Sequence, residues 1–316
     1  MTRKPINTSP EDSLAIRAAW LHYAGGLTQA EVARRLGLPS VKTHRLIARA
    51  VADGAVKVTI DGDIVECVNL EVALCDRYGL DFCEVAPDLG EEGLPLRGLG
   101  IAGASYIKRE IEHGGHRVVG LGHGRTLAAA VHQLQRTAAS GIRFVSLLGG
   151  VTRNYSANPH DVMHSIAEKT GAQAFIIPVP VVANTAEDRK VLLDQRGVRD
   201  VYEMCCKAEL KIVGIGTVGP DAQLVSSGMI EPAEIGAVAE AGGIGEVLCH
   251  FFDADGRVVE TALTARTTAA PVEGPDGARI VAIAGGKSKV PAIRAVLKSG
   301  RLAGLITDEA TAKALL

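Results

Sequence analysis

Apolar residues along the first sixty positions recur with the period of short amphipathic helices. Leu14, Ala18 and Leu21 stand at i, i+4 and i+7, which predicts a helix from Asp12 or Ser13 to about Tyr23, stopped by Gly25-Gly26. Thr28 opens a second helix, with Glu31 three residues on in capping-box position, and Gly37 ends it. Pro39 and Ser40 begin a third helix running to about Asp53. The small Ala33 and the turn glycine Gly37 suit the close crossing of a helix-turn-helix, with Val32, Leu36, Leu38 and Leu46 inward. The stretch AVKVTIDGDIVE (55–66) then alternates about Asp61-Gly62 and predicts a β-hairpin, read as a wing. These elements define an N-terminal winged helix-turn-helix over 1–66.

From 67 to 316 the pattern changes to strands alternating with helices. A helix over 70–80 leads to an apolar strand at 83–87, a polar Gly/Pro-rich loop and a helix near 101–113. Strand 117–121 runs into Gly122-His123-Gly124-Arg125-Thr126 and a helix to about Ala139. Further strands are expected at 143–150, 174–180, 210–215, 247–252 and 280–284. Near-continuous apolar strands between helices predict a mostly parallel, Rossmann-like α/β sheet covered on both faces. Ligands of such sheets sit beyond the carboxyl ends of the strands, where loops 122–126, 148–152, 214–217 and 284–289 fall.

Charge sharpens this division. Residues 1–60 carry nine basic and four acidic side chains, a net +5, which leaves −7 for the rest of a chain whose total is −2. A basic head on an acidic body suits a polyanion at one end only, although a solvated helix face would look the same. Ser40, Lys42, Thr43, His44, Arg45 and Arg49 of the third helix are therefore the DNA-facing candidates. Thr28 and Gln29 join them from the second helix, and Lys57 from the wing. Aromatic residues make up only 3%, so the core is expected to be aliphatic. No apolar run reaches the ~18 residues of a membrane span, and the first residues lack a signal-peptide core, so a cytoplasmic protein is expected. Six cysteines without CxxC or metal-ligand spacing read as reduced thiols, Cys205-Cys206 included.

The glycines at 122 and 124 let backbone N–H groups converge at a helix N-terminus, where a phosphate or polyol oxygen binds; a tight turn without ligand has the same pattern. The GxGxG spacing is not the dinucleotide fingerprint, and strand 143–150 ends without a ribose-binding acid. A literal GxGxxG at 214–219 is followed by Pro220-Asp221, which argues against the helix that motif needs. His160 and His164 lack a third ligand at a recognisable spacing, so neither a metal nor a cofactor is expected. No nucleophile elbow or acid–base pair is evident.

TQAEVARRLGL in the head, and GLGHGRT, SLLGG, IVGIG, HFFDADG and AGGKSKVPAIRAVLKSGRLAGLITDEATA in the body, resemble the SorC-type sugar-binding transcriptional regulators, related to DeoR-like repressors. The resemblance spans nearly the whole chain. It implies an effector domain similar to ribose-phosphate isomerase and glucosamine-phosphate deaminase. It further implies a homotetramer on double-stranded operator DNA whose affinity changes when a sugar, polyol or sugar phosphate binds, and the expected role is repressor of a sugar or polyol catabolic operon, with erythritol the polyol indicated. The resemblance places Gly124, Arg125, Thr126, Gly149, Gly150, Asn158, Glu246 and Lys289 at the effector, beside Gly122 and His123 of the same loop. His123 stands where the family usually has Trp, and Glu246 where Asp is common. The competing expectation is a sugar-phosphate isomerase or deaminase with a DNA-binding head, for which no carboxylate and base can be assembled. A nucleoid-type DNA binder would give no reason for a Gly-loop pocket.

Overall fold

Local capping determines where the N-terminal helices begin and end. Thr28 Oγ1 accepts the Glu31 N–H at 3.3 Å, while Glu31 Oε2 accepts the Thr28 N–H at 2.8 Å, closing the capping box of α2 (Gln29–Leu36). Gly37, at φ 64°, ends that helix in the left-handed region. The first helix, α1 (Pro10–Ala19), is followed by a π-helical turn (Trp20–Ala24), so regular α structure stops short of Tyr23. The third helix, α3 (Ser40–Ala52), buries Thr43, Leu46, Ile47 and Ala50 against Ala15, Ala18 and Val32.

The computed structural model describes residues 10–56, 64–151, 162–273 and 278–316. The chain divides into two compact units, Met1–Gly62 and Asp63–Leu316. Most of the expected wing, Lys57 included, lies outside the described residues. Its second strand does not extend to Glu66, because helix α4 (Val65–Tyr78) already opens at Val65. Cys67 and Leu74, seven apart and both buried, set a helical stripe that overrides the alternation read from the sequence.

The body is a three-layer α/β unit. Its strands and helices run β1 (Phe82–Ala86), α5 (Leu96–His113), β2 (Val118–Leu121), α6 (Arg125–Gln133), β3 (Arg143–Val151), α7 (Met163–Thr170) and β4 (Gln173–Pro180). Then follow α8 (Ala186–Leu193), α9 (Val198–Cys206), β5 (Leu210–Val213), β6 (Gly216–Thr217), α10 (Gln223–Ser226) and α11 (Pro232–Glu240). The remainder is β7 (Gly245–Val247), β8 (His250–Phe252), β9 (Val258–Val259), β10 (Arg279–Ile283), α12 (Val290–Lys298), β11 (Gly304–Asp308) and α13 (Glu309–Leu315). Seven parallel strands form one sheet in the order β1-β11-β10-β5-β2-β3-β4. β6, β7, β8 and β9 make a separate antiparallel sheet. β2 and β5 are buried at every position, and in β5 this includes Lys211, whose ammonium donates to the carbonyls of Pro271 and Glu273 at 2.9 and 2.5 Å.

Three boundaries differ from expectation. Helix α5 starts at Leu96, where the Glu91 carboxylate accepts the N–H groups of Arg97 and Gly98 at 2.9 and 3.2 Å, and Gly100 and Gly103 let it lie close on α6: a Cβ at these positions would come within 3.1 Å of Ala129 O and 2.8 Å of Ala130 Cβ. Helix α6 ends at Gln133, where Lys169 Nζ donates to the carbonyls of His132 and Leu134 at 2.6 and 2.8 Å. The run 247–252 is not one strand of the parallel sheet. Leu248 and Cys249, at φ 52° and 58°, fold it into the β7–β8 hairpin, although neither is a usual turn residue. Strand β11, which the periodicity did not single out, lies between β1 and β10.

Candidate functional site

Chain order in the sheet reverses between β2 and β5. From β2 the chain moves outward through β3 and β4, then returns to β5 on the other side of β2. Such a switch point separates the loops at the strands' carboxyl ends and leaves a crevice between them. A cavity of about 40 Å³ occupies it, lined by the loop after β2, the loop after β5, the β7–β8 hairpin and the lysine that follows β10.

The loop after β2 enters α6 through Gly124, at φ 116°, a conformation that a side chain would strain. His123, Arg125 and Thr126 line the cavity beside it, with Arg125 exposed. Thr126 is buried and its hydroxyl donates to Ile283 O at 3.0 Å. On the facing wall stand Gly214, Ile215 and Gly216. A Cβ at Gly216 would overlap the Glu246 carboxylate, so glycine there is what lets that carboxylate reach the cavity. Glu246 Oε1 accepts the N–H of Cys249 at 2.7 Å. Lys289 Nζ donates to Ile215 O at 2.7 Å. The glycine turn leading to Lys289 is fixed from beneath, since Gly286 N donates to Asp308 Oδ2 at 3.0 Å and to Thr311 Oγ1 at 2.8 Å.

Burial raises Glu246 to about 7, against the opposing effects of the Cys249 N–H and the Lys289 charge. Burial also lowers Lys289 to about 8; the Arg125 charge adds to this and the Glu246 carboxylate opposes it. The cavity thus joins an acid and a base that burial brings toward the neutral range, with a guanidinium at its edge. The arrangement supplies hydrogen bonds of both senses to a small oxygen-rich molecule. It has no nucleophile placed beside a base, and no cluster of His, Cys, Asp or Glu among the described residues would hold a metal ion.

Residues 62–316 match the family model described as "Putative sugar-binding domain". The erythritol catabolism regulatory protein EryD of Brucella abortus is 70% identical over 306 residues, covering 97% of each chain. The transcriptional regulator LsrR of Klebsiella pneumoniae is 34% identical over 97% of this chain and 93% of that one. The chain belongs to the SorC/DeoR family of sugar-binding transcriptional regulators. A full-length SorC-family structure, the sorbitol operon regulator of Klebsiella pneumoniae, shares the fold with a TM-score of 0.68 at 24% identity, covering 97% of this chain and 99% of that one. A DeoR family regulator from Listeria monocytogenes gives 0.71 at 20% identity over 79% of this chain and 99% of that one. The isomerase or deaminase expectation falls, because the relatives of this SorC/DeoR chain are regulators.

Of the effector candidates expected from the sequence, the fold brings His123, Gly124, Arg125, Thr126, Glu246 and Lys289 to one cavity. Gly122 is not on its wall: its N–H donates to Ile212 O at 2.8 Å, and a Cβ there would meet Leu248 and Val213. Gly149 and Gly150 are not on it either. Both lie within β3, where a Cβ at 149 would overlap the main chain of Val179 and Pro180 and one at 150 the side chain of Ile176. Their glycine identity serves strand packing, and the loop expected at 148–152 is strand as far as Val151. Thr126 is corrected in role, its proton being committed to Ile283. Asn158 lies outside the described residues, as does His160, while His164 is exposed on α7. Gln223, Leu224 and Leu248 were not anticipated. Gly214–Gly216 fall within a loop that the strand pattern placed at the correct edge.

On the SorC/DeoR head, Ser40, Lys42, His44 and Arg45 are exposed along α3, with Thr28 exposed and Gln29 half-buried at the start of α2. Thr43 is not on this face. It is fully buried, and its hydroxyl donates to Pro39 O at 3.2 Å. Arg49 is exposed but engaged, bonding Asp12 at 2.6 Å and lying 3.4 and 3.5 Å from Glu11 and Asp53. It ties α3 to α1. All six cysteines are free thiols, and Cys205 donates to Ser146 O at 3.1 Å. No helix among the described residues is long and apolar enough to cross a membrane.

Proposed function

We propose that this regulator represses a polyol catabolic operon and that a short, uncharged polyol relieves the repression by binding between β2 and β5. The observation that carries this reading is the placement of Glu246 and Lys289 on the wall of one cavity, each pushed by burial toward its uncharged form. A buried phosphate would have to lie beside the Glu246 carboxylate, which repels it, whereas a hydroxyl pairs with both partners. Erythritol is the test case, because the 70% identical Brucella abortus relative is named for erythritol catabolism.

In this reading Lys42, His44 and Arg45 meet base edges and phosphates of double-stranded DNA, with Ser40, Thr28 and Gln29 beside them. The protein acts in the cytoplasm as a tetramer, presenting paired heads to repeated half-sites. The effector favours one arrangement of the body, and that difference in affinity reduces binding to the operator. Calorimetric titration with erythritol, threitol and erythritol 4-phosphate tests the effector class. Saturable binding of a free tetritol supports it; binding of the phosphate ester alone refutes it.

A further inference from the structure

We infer that Gln223 is a specificity-determining residue of the effector cavity, reading one hydroxyl group of the ligand through its side-chain amide. The inference rests on the uncharged-polyol reading above.

The polar side chains around the cavity are unequally committed. Thr126 donates to Ile283 O, Lys289 to Ile215 O, and Glu246 accepts from Cys249 N. The amide of Gln223, half-buried on the cavity wall, has no hydrogen-bond partner among the described residues. Its backbone, by contrast, is held firmly. Ala222 and Leu224 on either side are buried, and Gln223 O accepts both the Ser227 N–H at 3.0 Å and the Ser227 hydroxyl at 2.6 Å. A fixed backbone that places an uncommitted, part-exposed amide on the wall of a cavity gives a site the means to reject analogues that lack the matching group.

The chemistry distinguishes Gln223 from the charged groups near it. Lys289 only donates and ionised Glu246 only accepts, whereas the amide offers both functions on one planar group. A hydroxyl is likewise both donor and acceptor, so the amide complements it without leaving a net charge in the cavity. Gln223 lies on the short segment after β6 and so enters the cavity lining from a different element than the glycine loop or Lys289.

The test compares the wild-type protein with Gln223→Ala and the near-isosteric Gln223→Met, using calorimetry with erythritol, 1,2,4-butanetriol, which lacks an internal hydroxyl, and 1,2,3-butanetriol, which lacks a terminal one. Thermal melting of each variant shows that it is folded. The expected result is a loss of roughly 10-fold in affinity for erythritol in both variants. For a ligand lacking the hydroxyl that Gln223 reads, the loss should vanish, so that wild type and variants bind it alike. Equal weakening toward all three ligands would show a purely structural role and overturn the inference, as would unchanged affinity for erythritol. A wild-type protein that bound none of the three would overturn the uncharged-polyol reading itself, and the inference with it. The wild-type titration therefore separates the two failures.

Discussion

The main-chain N–H of Cys249 donates to Glu246 Oε1 at 2.7 Å, across a turn whose two residues, Leu248 and Cys249, stand at φ 52° and 58°. Positive φ at both central positions matches the twist of a tight hairpin, yet in residues with side chains it costs of order 1–3 kcal/mol each. The carboxylate that anchors this strained turn is the one that lines the cavity between β2 and β5. Under the proposed function, ligand recognition and hairpin geometry share one group.

Replacing Glu246 by Ala leaves the buried Cys249 N–H without its acceptor, whereas Gln retains a carbonyl oxygen in the same place. At pH 5, Glu246→Ala is expected to lower stability to urea by about 1–3 kcal/mol, and Glu246→Gln by much less. Equal losses in the two variants would remove the anchoring role.

Stability should also depend on pH through the same carboxyl. Its pKa rises from the ordinary 4.5 to about 7 on folding, so the folded chain holds this proton more tightly. Its contribution is complete below pH 4.5, declines as pH rises through 7 and is constant above, a change of about 3 kcal/mol. Lys289, lowered to about 8, acts in the opposite direction at higher pH, its burial penalty being relieved between about 8 and 10.5. Relative to wild type, Glu246→Gln should gain stability between pH 4.5 and 7. Parallel unfolding profiles for the two proteins over that range would contradict this.

Much of the head could be read from sequence because its signals are local. The Thr28–Glu31 box and the stop at Gly37 each lie within a few residues of one chain segment. Thr43 was misplaced for a reason that sequence also contains: with Leu46, Ile47 and Ala50 it completes the i, i+3, i+4, i+7 stripe of the buried face, and only its polarity suggested otherwise. In the body, Gly124 and Lys289 were legible as strand–glycine–helix joins. Gln223 and Leu248 were not, because they reach the cavity through the order of strands around β2 and β5, which periodicity does not encode. The Leu248-Cys249 turn was hidden for a further reason. It has no glycine, asparagine or proline, and a tertiary hydrogen bond from Glu246 supports it instead.

On the head, Arg45 and Arg49 should behave differently although both are exposed arginines of α3. Arg45→Ala is expected to weaken operator binding by about 1–3 kcal/mol if the guanidinium meets a guanine. Arg49→Ala removes contacts to Asp12, Glu11 and Asp53, and should cost at most about 1 kcal/mol of stability with little change in affinity for DNA. Filter binding and urea unfolding of both variants check the contrast, and the reverse ranking would refute it.

Lys289→Met removes the ammonium while keeping the apolar stem. The expected phenotype is full operator binding with no response to effector, since the lysine is on the cavity wall and Ile215 O would lose its donor. An effector response of wild-type size in this variant would exclude Lys289 from recognition.

The central claim is that a short neutral polyol, bound between β2 and β5, releases operator DNA. Fluorescence anisotropy on a labelled fragment from upstream of the protein's own gene tests it most directly, with erythritol, threitol and erythritol 4-phosphate added singly. The account predicts tight, sequence-specific binding that a free tetritol reverses at concentrations leaving the Lys289→Met complex intact. A complex unaffected by every free polyol, or released only by the phosphate ester, would contradict it.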